Sequence, residues 1–195
     1  MDRTNTAKNP MKLAILCGSV RMGRKSIHVA RHLETTFQSN PAFESVELLD
    51  LADFNLPMMQ ERRGQHPNLP AAAEKLGIAL ENADALMVVT PEYNGSYPGV
   101  LKNALDYYLD EYRKKPVGIV SVSSGSMGGN LAHKELTVMF MRIGAFVSPS
   151  RLYVSEVGKM FEEDGNAVGE RYLKASARFA DEFAWFADAI TSASR

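Results

Sequence analysis

A chain of 195 residues, 45% apolar and 23% charged, is long enough for one packed domain and too apolar to be disordered throughout. Its formal net charge of −1 lacks both the basic footprint of a nucleic-acid or membrane-surface binder and the acidic excess of a carrier that docks on basic partners. One cysteine excludes an internal disulfide and a cysteine-rich metal site, and fits a reducing cytoplasm.

Residues 1–10 are polar and read as a flexible N-terminal tail without the apolar centre of a signal peptide. Residues 11–195 are expected to form a single domain. No apolar run approaches the roughly 20 residues that span a membrane. The run MKLAILC at 11–17 predicts a buried strand, followed by GSVRMGRKS at 18–26. Ile27, Ala30, Leu33 and Phe37 have helical spacing and place a helix over 24–39, closed by Asn40-Pro41. A second strand is expected at 45–49. Residues 50–70, rich in Pro, Asn, Gln and Arg, form a long irregular connection of a kind that is usually functional or mobile. Ala72, Leu76, Ile78 and Leu80 predict a helix over 71–81. ALMVVT at 85–90 reads as a strand covered on both faces.

The turn PEYNGS at 91–96 precedes a helix over 98–112 with Val100, Leu101, Ala104, Leu105 and Tyr108 on one stripe. Tyr107, Tyr108 and Tyr112 read as helix packing or an oligomer surface. PVGIVSV at 116–122 predicts a strand that ends in SSGSMGGN at 123–130, and a helix follows over 131–143. Ala145-Phe146-Val147 and Leu152-Tyr153-Val154 suggest one last strand. A loop spans 157–166, and Leu173, Ala177, Phe179, Ala180, Phe183, Ala184, Phe186 and Ala187 predict a terminal helix over 171–190.

This alternation implies an α/β fold: a three-layer sandwich with a five-stranded parallel sheet and helices on both faces. In the flavodoxin-like order 2-1-3-4-5, the first, third and fourth strands are neighbours. The turns 18–26, 91–96 and 123–130 then meet beyond their carboxyl ends, where open α/β sheets bind ligands.

The first turn suits a phosphate. A strand, a glycine-hydroxyl-arginine turn and a helix N-terminus offer backbone N–H groups, the hydroxyls of Ser19 and Ser26, and the guanidinium groups of Arg21 and Arg24. Gly18 and Gly23 have Walker A spacing, but Arg24 stands where the lysine belongs. A phosphatase loop starting at Cys17 fails because its arginine position is Gly23, and Gly-x-Gly-x-x-Gly is absent. The motif therefore holds a phosphate without machinery to transfer it. The other two turns carry little charge, small residues and one aromatic, Tyr93. They suit a broad flat base that lies close to the main chain at Gly125, Gly128 and Gly129. A mononucleotide with a broad flat base fits all three turns, and FMN fits best, because the flavodoxin-like sheet holds it in this arrangement. His28, His32, His66 and His133 lie in no metal-ligand spacing, and no metal is expected.

The three motifs in order, GSVRMGRKS, PEYNGSYPGVLKNALDYY and SSGSMGG, resemble the NADPH-dependent FMN reductase family over about residues 11–155. That flavodoxin-like family includes quinone, chromate and azo-dye reductases. By this resemblance Gly18, Ser19, Arg21 and Ser26 fall on phosphate-binding positions. Pro91, Glu92, Tyr93 and Asn94 fall on the segment that lines the isoalloxazine ring, with Glu92 read as a structural cap. Ser123, Ser124, Gly125 and Gly128 fall on the loop along the other edge of the ring. Arg24 stands where many relatives carry a small hydroxyl or amide residue. It is grouped with the cofactor-binding residues, with direct phosphate contact and an outward orientation both open.

The resemblance also implies a homodimer or homotetramer packed through the helix around Lys102 to Tyr112. The expected function is an FMN-dependent NAD(P)H:acceptor oxidoreductase. Hydride passes from NADPH or NADH to flavin N5, and electrons then pass to a quinone, azo compound, metal oxyanion or free flavin. The flavin carries the chemistry, so no catalytic side chain is assigned. Two other readings stand beside it: a flavodoxin-type electron carrier, and an FMN-dependent sensor or scaffold without a substrate of its own. Arg62 and Arg63 are candidates for the 2′-phosphate of NADPH.

Overall fold

The structure, a computed structural model, describes residues 10–194; the expected flexible tail, apart from Pro10, lies outside them. The chain runs β1 (Met11–Cys17), α1 (Ser26–Gln38), β2 (Phe43–Asp50), α2 (Leu51–Phe54), α3 (Ala71–Asn82), β3 (Ala85–Pro91), α4 (Gly99–Asp106), β4 (Pro116–Val122), α5 (Asn130–Arg142), β5 (Phe146–Val147), β6 (Leu152–Val154) and α6 (Glu170–Ser194). The strands pair in parallel in the order β2-β1-β3-β4-β5, with β6 also on β4. This is the flavodoxin-like sheet that the alternation of apolar runs and helical stripes predicts.

Successive side chains of a strand point to opposite faces, and the two faces feed two cores. Leu13, Ile15 and Cys17 of β1, Met87 and Val89 of β3, and Val120 and Val122 of β4 pack under α1 and α6 with Leu33, Phe37 and Phe183. Ala14 and Leu16, Leu86 and Val88, and Val117 and Ile119 pack under α3, α4 and α5 with Leu76, Leu101, Leu136 and Phe140. Burying each large aliphatic side chain in these layers stabilises the fold by about 1.5–3 kcal/mol. The central strands are apolar without alternation because both faces are covered.

The fifth sheet position differs from the single strand expected. β5 pairs with Pro116 and Val117, and β6 with Val120 to Val122. Ser148 N–H still reaches the Val117 carbonyl at 2.8 Å, but the next residue is Pro149, which has no N–H to continue the ladder. The edge strand breaks there.

The helix expected over 98–112 also ends early. Leu109 N–H is taken by the Glu111 carboxylate at 3.1 Å, and a short 3-10 turn, Asp110–Tyr112, follows. Tyr107, Tyr108 and Tyr112 are 1%, 3% and 0% exposed, so they pack inside the protomer and offer no aromatic surface to a second copy. Tyr107 and Tyr108 donate to the carbonyls of Pro57 and Ala73 at 3.1 and 2.7 Å.

These bonds also tie down the long connection after α2. Asn103 accepts from Met59 N–H and donates to the Pro57 carbonyl, both at 2.8 Å. Arg63 ends the tether. Its guanidinium lies 2.9–3.0 Å from Glu74, Glu81 and Glu111, and a Cβ at Gly77 would stand 2.5 Å from its Cδ. The expectation that Arg63 meets a nicotinamide 2′-phosphate is therefore corrected: three carboxylates already hold it. Among the described residues, no helix is long and apolar enough to cross a membrane.

Candidate functional site

Beyond the carboxyl ends of β1, β3 and β4 lie the turns 18–25, 92–98 and 123–129. Hydrogen bonds join the first two directly and tie the second to the elements on either side of the third. Ser19 Oγ, fully buried, shares a bond of 2.9 Å with Tyr93 Oη, which links the first turn to the second. Glu92 Oε2 accepts from the N–H groups of Leu131 and Ala132 at 3.0 and 3.4 Å, and Glu92 N–H reaches the Val122 carbonyl. Ser96 Oγ donates to Glu135 of α5. These contacts link the second turn to β4 and α5, the elements that flank the third. Glu92 is thus the helix cap that its position suggested. Replacing Tyr93 with phenylalanine would leave Ser19 Oγ buried without a partner, at a cost of about 1–2 kcal/mol. A thermal melt of the variant is expected to fall by a few degrees; an unchanged melt would show that this link carries no stability.

Each turn has a local cause. Asn94 and Gly95 have φ of 51° and 81° between the bridged residues Tyr93 and Ser96. Both central residues in the left-handed region make a two-residue turn that Asn-Gly adopts readily. Gly18 lies against α4, where a Cβ would stand 2.7 Å from Leu101 Cδ2. In the third turn, Ser121 Oγ donates to the Gly128 carbonyl at 2.8 Å, and the Ser123 hydroxyl accepts from Gly125 N–H at 3.0 Å. Glu156 and Val157 N–H groups donate back to the carbonyls of Gly125 and Ser123. Ser124, Gly125 and Asn94 remain exposed.

Two long helices begin at this end of the sheet, and they differ. The start of α5 is occupied by the Glu92 carboxylate. The start of α1 has neither a side-chain cap nor an acidic residue in its first turn. Ser26 Oγ, at its first residue, is buried beside the Cys17 thiol and meets no nitrogen or oxygen partner. Among the described residues, the N–H groups of Val20, Arg21, Met22 and Gly23 have no acceptor either. Unpaired donors at an uncapped helix N-terminus form an anion site. A phosphate seated there would satisfy Ser26 and the turn together, so the residues present fit the phosphate end of FMN.

Residues 11–159 match the NADPH-dependent FMN reductase family. The chain belongs to that family. A quinone reductase from Pseudomonas putida is 32% identical over 181 residues, 88% of this chain and 92% of the relative. An FMN-dependent NADPH-azoreductase from Staphylococcus aureus is 29% identical over 187 residues, 93% of this chain and 94% of the relative. FerB from Paracoccus denitrificans, a flavoenzyme NAD(P)H:(acceptor) oxidoreductase, has the same fold, with a TM-score of 0.79 at 24% identity over 92% of this chain and 98% of its own.

As an NADPH-dependent FMN reductase family member, the chain is an oxidoreductase that depends on FMN and NAD(P)H. The expected site residues lie in the three turns or at their edges, and Arg24 does not point outward. Its guanidinium forks onto the Asp50 carboxylate and also donates to the Ser19 carbonyl. Asp50 is the site residue that sequence reasoning missed; its one signal was an acid at the end of β2, beside the turn. Burial and the Asp50 charge push the neighbouring Cys17 thiol up to about 11, so it stays neutral near pH 7. Cys17 is packing, not a nucleophile.

Proposed function

We propose that this protein oxidises NAD(P)H and reduces a small organic acceptor, a quinone or an azo compound, on FMN held by the three turns. When bound, FMN accepts a hydride from the nicotinamide and releases the electrons to the second substrate. The chain's own residues bind and orient. Val20 to Gly23 N–H groups, Ser26 and Arg21 take the phosphate; Tyr93 and Asn94 line one edge of the ring; Ser124 and Gly125 line the other. Donors aimed at developing negative charge in a preorganised site stabilise it without reorganisation; the N–H groups of Asn94 and Gly95, without an acceptor among the described residues, would supply them, since Gly125 N–H is held by Ser123 Oγ. The observation that carries the reading is the uncapped start of α1, with a buried Ser26 hydroxyl that meets no nitrogen or oxygen partner, on a turn hydrogen-bonded to Tyr93.

The acceptor class rests on the quinone- and azo-reducing relatives. Assembly with a second copy through the segment around α4 would use its exposed charged face, Lys102 above all, since the tyrosines are interior. The test is steady-state consumption of NADPH and NADH by the purified, FMN-loaded protein with quinones and azo dyes and no other protein present. Turnover with a quinone or an azo dye is expected. A protein that binds FMN but consumes no nicotinamide without a separate reductase would be a carrier.

A further inference from the structure

The Arg24–Asp50 pair is the most heavily built polar contact beside the first turn. Both guanidinium edge nitrogens reach both carboxylate oxygens, and the side chains are only 18% and 10% exposed. The carboxylate is fixed from its other side as well, because Asp50 Oδ1 accepts from Ala52 N–H at 3.1 Å and caps α2. A phosphate that drew Arg24 away would leave a nearly buried carboxylate unpaired, which is costly. The guanidinium is therefore committed.

Its third contact gives it a task. Arg24 Nη1 donates to the Ser19 carbonyl, and in a trans peptide the following N–H points the opposite way. Holding the Ser19 carbonyl toward Arg24 turns the Val20 N–H away from it. The Ser19 side chain is pinned separately by Tyr93. We infer that Arg24 is a positioning residue for the phosphate turn, neutralised by Asp50 and holding the Ser19–Val20 peptide in its donor orientation, and not itself a phosphate ligand. The inference rests on the FMN reading above. It makes the pair act as one neutral strut between β2 and the turn, and leaves Arg21 as the turn's phosphate-facing guanidinium.

The test titrates apoprotein with FMN and with riboflavin, which lacks the phosphate, following flavin fluorescence, for the wild type, R24Q, R24K, D50N and R24Q/D50N. Circular-dichroism melts check folding. A strut predicts that R24Q and D50N each weaken FMN binding by about tenfold and that the double variant is no worse than either single. R24K is expected to behave like R24Q, because an ammonium cannot make the fork. Riboflavin affinity is expected to change by less than about twofold in all of them, a phosphate-turn effect being silent without the phosphate. If Arg24 were a phosphate ligand, D50N would free it and remove a nearby negative charge. Unchanged or tighter FMN binding by D50N, or wild-type affinity in R24K, overturns the inference. If D50N does not fold, R24Q against R24K decides. A wild type that binds FMN no better than riboflavin would instead remove the phosphate cradle itself.

Discussion

Replacing Arg21 with alanine is expected to weaken FMN binding by roughly 10- to 150-fold, the equivalent of about 1.5–3 kcal/mol for one charge-assisted contact. Arg21 is exposed on the first turn, and among the described residues it has no acidic partner. It therefore has little to lose in the apoprotein, and the melt of apo R21A is expected to match the wild type. Affinity for riboflavin is expected to hold. The measurement is the ratio of FMN to riboflavin dissociation constants in wild type and variant. An unchanged ratio would mean that the phosphate lies elsewhere.

Gly128→Ala is expected to strike stability and cofactor binding together. Gly128 has φ of 60°, and a Cβ there would stand 2.8 Å from Tyr153 Cβ and 3.0 Å from the Tyr153 backbone carbon. Left-handed strain adds about 1–2 kcal/mol for a residue with a Cβ, and overpacking against a strand adds about 1–3 kcal/mol. Tyr153 belongs to β6, whose backbone is paired to Ser121 of β4, so it cannot retreat freely. The third turn would have to move instead, taking Ser124 and Gly125 with it. A melting temperature lowered by roughly 5–15 °C, with weaker binding of both FMN and riboflavin, is expected. The loss on riboflavin separates this variant from R21A. A G128A protein that melts and binds like the wild type would show that the third turn takes no part in holding the ring.

The elements that position the site were legible in the sequence because they are the most buried ones. β1 from Leu13 on, β3 and β4 are covered on both faces, so they appear as nearly continuous apolar runs. The turns were legible because glycine, serine and asparagine there answer backbone needs, as the paired positive φ angles of Asn94 and Gly95 show. What escaped was pairing across the chain. Asp50 lies 26 positions from Arg24, and nothing local says that an acid closing β2 will take up the arginine of the first turn. The choice between helix packing and an oligomer surface for the tyrosines on and after α4 stays open in the sequence for a related reason: an aromatic with a polar tip reads the same on a packed stripe as on an exposed one. Only the carbonyls of Pro57 and Ala73, delivered by distant segments, put them inside. Pro149 was visible, but its effect depended on the edge strand needing an N–H at that place.

The most direct measurement of the central claim is a crystal structure of the protein crystallised with FMN. The account predicts the phosphate at the start of α1, within hydrogen-bond distance of Ser26 Oγ and the N–H groups of Val20 to Gly23, with the ring between Tyr93 and Gly125 and Arg24 still forked onto Asp50. Density for the flavin elsewhere on the molecule, or a phosphate at the start of α5 in place of the Glu92 carboxylate, would contradict it.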